Sequence, residues 1–273
     1  MATPREINRH MKSVGNIGKI TKAMKMVAAA RLRRAQEKAA ASRPYAIKIK
    51  EVLSNVVSDP SVLAGLDAKK HPLLQKREVQ KVGYLVLCSD KGLAGAYSSN
   101  ALKKAIAEIS ECEDEVVIIT CGRKARDFFT RRGFNVIQSH IGFSDRPTYE
   151  NAVAIAQDAI KTFASEGFDK LNIVYTIFKT ALSQIPTSEV ILPVEPPAKE
   201  NDKAQASFMF EPGEDETLKV LAPKYLETVV YAALVQSAAS ELGSRMTAMS
   251  SATDNAAKLV SSLQLSYNKA RQA

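Results

Sequence analysis

From Leu242 to Ala270 apolar or small residues recur at alternating steps of four and three: Leu242, Met246, Met249, Thr253, Ala256, Val260, Leu263, Tyr267 and Ala270. A repeat of this kind averages about 3.5 residues and keeps one narrow stripe turned toward a partner helix over its whole length. A helix on a globular surface would show a wider and shorter apolar face. The chain therefore needs a second long helix, and a candidate stands at its other end. Ile7, Met11, Val14, Ile17, Ile20, Met24 and Val27 also step by three or four before running into alanines. The two ends of the chain are expected to pair as a coiled coil.

The N-terminal helix has a clear start. Thr3, Pro4 and Glu6 supply an N-cap, a proline at the first helical position and a capping-box carboxylate. No strong stop follows until Asp59-Pro60, so the helix should run to about Ser58, on the order of 80 Å at about 1.5 Å per residue. Pro44 should kink it. Gly15 and Gly18 each cost roughly 1 kcal/mol relative to alanine in a helix, which points to a close backbone approach. The other reading is a pair of shorter helices joined by loop glycines.

Between the terminal helices the period changes. Residues 60–76 mix Pro, Gly and charge and read as a connection. Val82–Cys88 and Val116–Cys121 are buried-strand runs, each followed by a helical pattern, at about 98–110 and 123–132. A third helix is expected over Pro147–Glu166, and strands over Lys170–Phe178 and Glu189–Val194. Alternating strands and helices make an α/β domain over 77–197 with a largely parallel, Rossmann-like sheet. Pro193, Pro196 and Pro197 close it, a segment with a short helix over 198–222 follows, and the last helix begins after Pro223. The fold class is thus α/β, with a helix over 1–59 and another over 223–273 forming a long antiparallel coiled coil around the inserted domain.

Charge is placed very unevenly. Residues 1–50 carry 13 Lys and Arg against Glu6 and Glu37, a balance of +11, while the whole chain is +9. Everything after residue 50 is therefore about −2, and the first helix must face something acidic: nucleic acid, anionic lipid or an acidic protein surface. Cys88, Cys112 and Cys121 are too few and too irregular for a disulfide framework and read as reduced thiols. No stretch approaches the roughly 18 apolar residues of a membrane span, and the first residues resemble neither a signal peptide nor a transit sequence.

A search for chemistry returns little. The turn Ser89-Asp90-Lys91-Gly92-Leu93-Ala94-Gly95, between a strand and a helix, could offer backbone amides to a phosphate. It lacks the GxGxxG and Walker patterns, and a structural turn capped by Asp90 and Lys91 is the simpler reading. His10, His71 and His140 have no metal-ligand spacing, and no GxSxG elbow is present. No catalytic residue, cofactor or metal site is expected. Met24, Met246 and Met249 read first as adaptable core filler. The basic run Arg31, Arg33, Arg34 has few acidic neighbours on its own helix, which favours an acidic partner.

The residues that resist a generic reading carry a resemblance. Lys19–Leu32 (KITKAMKMVAAARL), Ala41–Ala46 (ASRPYA), the turn SDKGLAG, and ELGSRMTAMSSATDNA with LSYNKARQA near the end resemble the γ subunits of F-type ATP synthases. The likeness covers essentially the whole chain. It implies a non-catalytic rotor shaft inside a ring of α and β subunits, joined below to the ε subunit and the membrane c ring. The shaft would couple ion flow to ATP synthesis or hydrolysis at the β subunits, peripherally at the cytoplasmic face of a bacterial plasma membrane. It further implies that Met24, Lys25, Arg31, Arg33, Arg34, Arg245 and Gln272 contact β, and that Phe208, Phe210 and Glu211 touch the c ring. The coiled-coil seam would comprise Ile7, Met11, Val14, Ile20, Val27, Leu242, Met246, Met249, Val260, Leu263 and Tyr267.

Two departures qualify the likeness: Ala94 stands where the family usually has cysteine, and family members generally continue beyond Ala273 into an upper bearing. The absence of the chloroplast branch's cysteine insert points to a bacterial member of the family. The competing reading is a basic coiled-coil protein that binds nucleic acid, which predicts binding that falls steeply with salt. A nucleotide-dependent α/β enzyme is the third, and ATP binding by the isolated chain would separate it from the others.

Overall fold

The computed structural model describes residues 3–57, 71–194 and 213–272. Helix α1 spans Pro4–Val57 without interruption. At its start the Thr3 N–H donates to Glu6 Oε2 (2.8 Å) and the Glu6 N–H to Thr3 Oγ1 (3.4 Å), so the capping box is formed. The last helix, α5, spans Glu214–Gln272. It begins ahead of Pro223 rather than after it. Leu218, Ala222 and Leu226 are buried on either side of that proline, and this packing holds the helix through the hydrogen bond that Pro cannot donate.

Between them lie a short 3-10 turn at Pro72–Leu74, β1 (Lys81–Leu87), α2 (Tyr97–Ser110), β2 (Glu115–Cys121), α3 (Arg123–Arg131), β3 (Val136–His140), α4 (Tyr149–Ala164), β4 (Lys170–Phe178) and β5 (Gln184–Leu192). The sheet order is β3-β2-β1-β4-β5, parallel except for the antiparallel β4–β5 pair. Strand β3 is absent from the sequence expectation, because an edge strand alternating half-buried and exposed residues presents no continuous apolar run. Strand β5 starts well before Glu189, in a polar stretch, for the same reason.

Side-chain parity divides the sheet into two cores. Val82, Tyr84, Val86, Ile118 and Val174 face α2 and α3, meeting Leu102, Ala105, Ala125 and Phe129. Leu85, Leu87, Val117, Ile119, Leu171 and Ile173 face the other way, onto α4 and the lower half of α5, and Leu53 of α1 joins this side. Helix α5 therefore belongs to the α/β core over its first half and leaves it with its second half. From Ser250 onward, the residues off the stripe facing α1 are mostly exposed.

Two contacts fix the pairing of the long helices. Gly18 lies so close that a Cβ there would sit 3.3 Å from the Ala256 Cβ, and the Thr21 and Thr253 hydroxyls are hydrogen-bonded at 2.8 Å. Each step forward on α1 is matched by an equal step backward on α5, so the helices run antiparallel. The same register sets Val14 opposite Val260, Met11 opposite Leu263 and Leu32 opposite Leu242.

Candidate functional site

The seam on α5 follows the heptad read from the sequence: Leu242, Met249 and Ala256 are buried, and Met246, Thr253, Val260, Leu263, Tyr267 and Ala270 are half-buried. On α1 the stripe agrees only as far as Ile7, Met11 and Val14. It then passes through Gly18, Thr21, Ala28, Leu32 and Ala35. Ile17, Ile20 and Val27 turn to solvent, 51%, 59% and 50% exposed. Their assignment to the seam is thus corrected. The two candidate stripes on α1 lie one residue apart, about 100° around the helix, and α5 opposes them with Thr253 and Ala256. Small residues allow close approach only to other small residues, so Gly18 and Thr21 are drawn in and the bulkier isoleucines are left outside. The close approach expected at the glycines occurs at Gly18 and not at Gly15, which has nothing within 4 Å of a Cβ position.

The SDKGLAG turn is a docking element. Its Asp90 carboxylate accepts from the backbone N–H of Arg123 (3.1 Å), Gly142 (2.9 Å) and Ser144 (3.0 Å), while the Asp90 N–H donates to Ser144 Oγ (2.9 Å). One side chain thereby ties the ends of β1, β2 and β3 together. Burial alone would raise its pKa, but the three backbone donors outweigh that and hold the carboxyl below the ordinary range. Gly95, at φ +54°, lies against α5, where a Cβ would come 2.9 Å from Ser244 Oγ. Ser244 donates to the Ala94 carbonyl (2.7 Å), and Arg245 donates to the carbonyls of Gly92 (3.2 Å) and Lys91 (3.4 Å).

This contact covers the place where an open α/β sheet would hold a nucleotide. In an open α/β sheet a ligand binds beyond the strand ends at the topological switch point, here between β1 and β4. The β1–β4 pairing ends at Val86 and Val174, and α5 occupies the gap beyond. Ser237 Oγ accepts from the Thr176 N–H (3.3 Å), Ser240 donates to the Thr176 carbonyl (3.0 Å), and Gln236 Oε1 accepts from the Phe178 N–H (3.1 Å). Side chains of α5 thus take the place of a neighbouring strand. Gly243 belongs to the same fit, since a Cβ there would lie 2.9 Å from the Phe178 ring.

The basic residues separate into two groups. Lys25 is exposed, with Nζ 3.0 Å from Ser250 Oγ, beside the half-buried Met24. Arg33 is exposed and pairs along its own helix with Glu37 at 3.1 Å, and Arg34 and Gln272, the last residue of α5, are also exposed. Arg31 instead turns inward and pairs with Asp145, in the loop before α4. Arg245 is 8% exposed, with Nη2 2.7 Å from Glu241 Oε1. In the folded chain both of these arginines hold the molecule's own parts. Phe208, Phe210 and Glu211 lie outside the described residues. The sequence reading missed Asp145, Glu241, Ser237, Ser240 and Ser244; isolated polar residues carry no periodic signal, although Glu241 and Arg245 do stand at helical i, i+4 spacing.

Two of the three thiols are shut away from reaction. Cys88 and Cys121 are buried, and burial raises both pKa values, that of Cys88 to about 11. Among the described residues no group of His, Cys, Asp and Glu could hold a metal ion, and no helix is long and apolar enough to cross a membrane.

Comparison with known proteins accounts for this architecture. The family described as ATP synthase matches residues 3–273. The ATP synthase gamma chain of Brevibacillus brevis is 47% identical over 272 residues, covering 98% of this chain and 92% of its own. That of Desulfitobacterium hafniense is 42% identical, covering 100% and 94%. Among solved structures, a central-stalk chain of the Tetrahymena thermophila mitochondrial ATP synthase has a TM-score of 0.66 at 24% identity, covering 85% of this chain and 99% of its own. A rotor chain of the Euglena gracilis mitochondrial enzyme has a TM-score of 0.63 at 18% identity, covering 98% and 97%. With its paired terminal helices, inserted parallel sheet and full-length likeness to these proteins, the chain belongs to the ATP synthase gamma chain family.

Proposed function

We propose that the chain is the non-catalytic rotor shaft of an F-type ATP synthase. Its paired helices turn inside a ring of alternating α and β subunits, and its α/β domain joins the ε subunit and the membrane c ring. Rotation driven by ion flow through the c ring then carries the β sites through their states in sequence, or ATP hydrolysis drives the rotation in reverse. Membrane association runs through the complex alone, at the cytoplasmic face of a bacterial plasma membrane.

The observation that carries this reading is the outer surface of the helix pair. Beyond the α/β domain the pair displays Ile17, Ile20, Met26 and Val27 on α1 and Leu259 and Leu265 on α5, all exposed, among Lys19, Lys22 and Lys25. An apolar and basic surface on a bare two-helix projection calls for an enclosing partner with acidic loops. Met24, Lys25, Arg33, Arg34 and Gln272 are its contacts with β in this proposal. Phe208, Phe210 and Glu211 are the contacts with the c ring.

The test is rotation itself. Leu182 is 87% exposed on the α/β domain, so a Leu182→Cys chain assembled with bacterial α and β subunits can carry a bead. ATP-driven, unidirectional rotation of the bead is expected. Failure to assemble with those subunits, or tight ATP binding by the isolated chain, would overturn the reading.

A further inference from the structure

At one height of the molecule its three parts meet through charge. Helix α1 contributes Arg31, α5 contributes Glu241 and Arg245, and the α/β domain contributes Lys91 and Asp145. The Asp145 carboxylate pairs with Arg31 and lies 3.4 Å from Lys91 Nζ, with its side chain only 10% exposed. Glu241, with 1% side-chain exposure, pairs with Arg245, and Arg245 in turn holds the carbonyls of Lys91 and Gly92. Burial raises the pKa of Glu241, and the nearby Asp145 charge adds to that effect. The neighbouring Ser144 is pinned to Asp90 through both its hydroxyl and its backbone N–H, so the loop that presents Asp145 is held rigidly to the sheet.

At this level the packing between the helices is apolar, while elsewhere along α1 its roll is also held by the Thr21–Thr253 bond and by Leu53 in the α/β core. Their contact there is Leu32 and Ala35 against Ala239 and Leu242, with Met246 and Phe178 beside them. Packing of Gly18, Thr21 and Ala28 already selects the face of α1 that meets α5; apolar burial at this level adds no direction of its own. The Arg31–Asp145 pair, with its carboxylate largely buried and its guanidinium 28% exposed, does set an angle, because only one orientation brings the two charges together. Fixing register is the best-attested use of such pairs.

We propose that this charge cluster is the torque-bearing joint of the rotor, with Asp145 as the positioning residue that forces α1 to turn with the α/β domain and α5. The proposal rests on the rotor reading above. Asp145 touches no ring subunit in that reading, so its loss should leave the ring's own catalysis in place while torque leaks at the joint.

The experiment uses the complete complex in sealed vesicles, measuring ATP hydrolysis and proton or sodium pumping together. For Asp145→Asn, ions pumped per ATP should fall by about threefold or more, the size expected when directly coupled neighbours are separated, with hydrolysis within about twofold of wild type. A second variant guards against simple misfolding. Arg31→Cys with Asp145→Cys, in a Cys112→Ser background, is measured before and after bridging by a short bismaleimide. The unbridged chain should pump poorly and the bridged chain should recover, because a joint that bears torque does not move during turnover. Wild-type pumping by Asp145→Asn, pumping that falls only in step with hydrolysis, or a bridge that halts turnover would each overturn the proposal. If the wild-type chain neither assembles nor pumps, the rotor reading fails instead.

Discussion

Removing the Asp90 carboxylate tests whether one side chain really binds three strand ends together. Asp90→Ala deletes the acceptor for three backbone donors, those of Arg123, Gly142 and Ser144. Hydrogen bonds to a charged group are worth about 1.5–3 kcal/mol each. Two of the donors are only part-buried and can recover water after the mutation, whereas that of Ser144 is buried. Alanine also escapes the desolvation that the carboxylate suffers. The net loss should be about 3 kcal/mol, lowering Tm by about 6–10 °C for a chain of this size. Asp90→Asn keeps one acceptor oxygen but brings an NH₂ toward the third donor, so a smaller loss of about 2 kcal/mol is expected. The pH dependence has a definite sign. The folded pKa lies below the unfolded one, so the stabilisation is fully present above the unfolded value of about 3.9 and is lost as pH falls through the folded value. Urea unfolding of the isolated chains should show the gap between wild type and Asp90→Asn intact at pH 5 and narrowing below pH ~4. Equal stability of all three chains at pH 7, or a gap that widens in acid, would refute the assignment.

Three further outcomes follow from the packing. Gly15→Ala should stabilise the chain by about 0.5–1 kcal/mol in thermal unfolding, since a Cβ there meets open space. Gly18→Leu should cost about 1–3 kcal/mol by forcing the helices apart at Ala256, and equal effects at the two glycines would rule out the register. Val260→Asp places an unpaired charge in the half-buried seam and should lower stability by about 2 kcal/mol; an unchanged melting temperature would remove Val260 from the seam. In thiol titration under native conditions Cys112, half-buried, should react first, while Cys88 and Cys121, buried, wait for unfolding. Three equal rates would mean that the core opens readily.

Most long and regular patterns were legible, the α1 stripe beyond Val14 being the exception. The α5 heptad, the first two strand-and-helix pairs, the helix that became α4 and the capping box at Thr3 are local or periodic signals, and each appears where its residues place it. Strands β3 and β5 escaped because an edge strand with one wet face carries only weak apolar alternation. Pro223 was misleading because a proline warns of helix termination only when tertiary packing does not hold its two sides together. The polar residues that fasten α5 to the sheet were invisible for another reason: each answers a backbone group far away in sequence, as Ser240 answers the Thr176 carbonyl.

By itself the sequence determined that the chain has two long helices flanking an α/β layer, that one of them is strongly basic, and that they face each other along a seam. These follow from period and composition, which are properties of a segment alone. Only the tertiary structure decided which stripe of α1 enters the seam, since Ile20 and Thr21 compete on equal helical terms until Thr253 and Ala256 stand opposite. It also decided that Arg31 and Arg245 face inward, because a cation points to its nearest acid or carbonyl. Asp145 and the Lys91 and Gly92 carbonyls reach those arginines only after the sheet has formed.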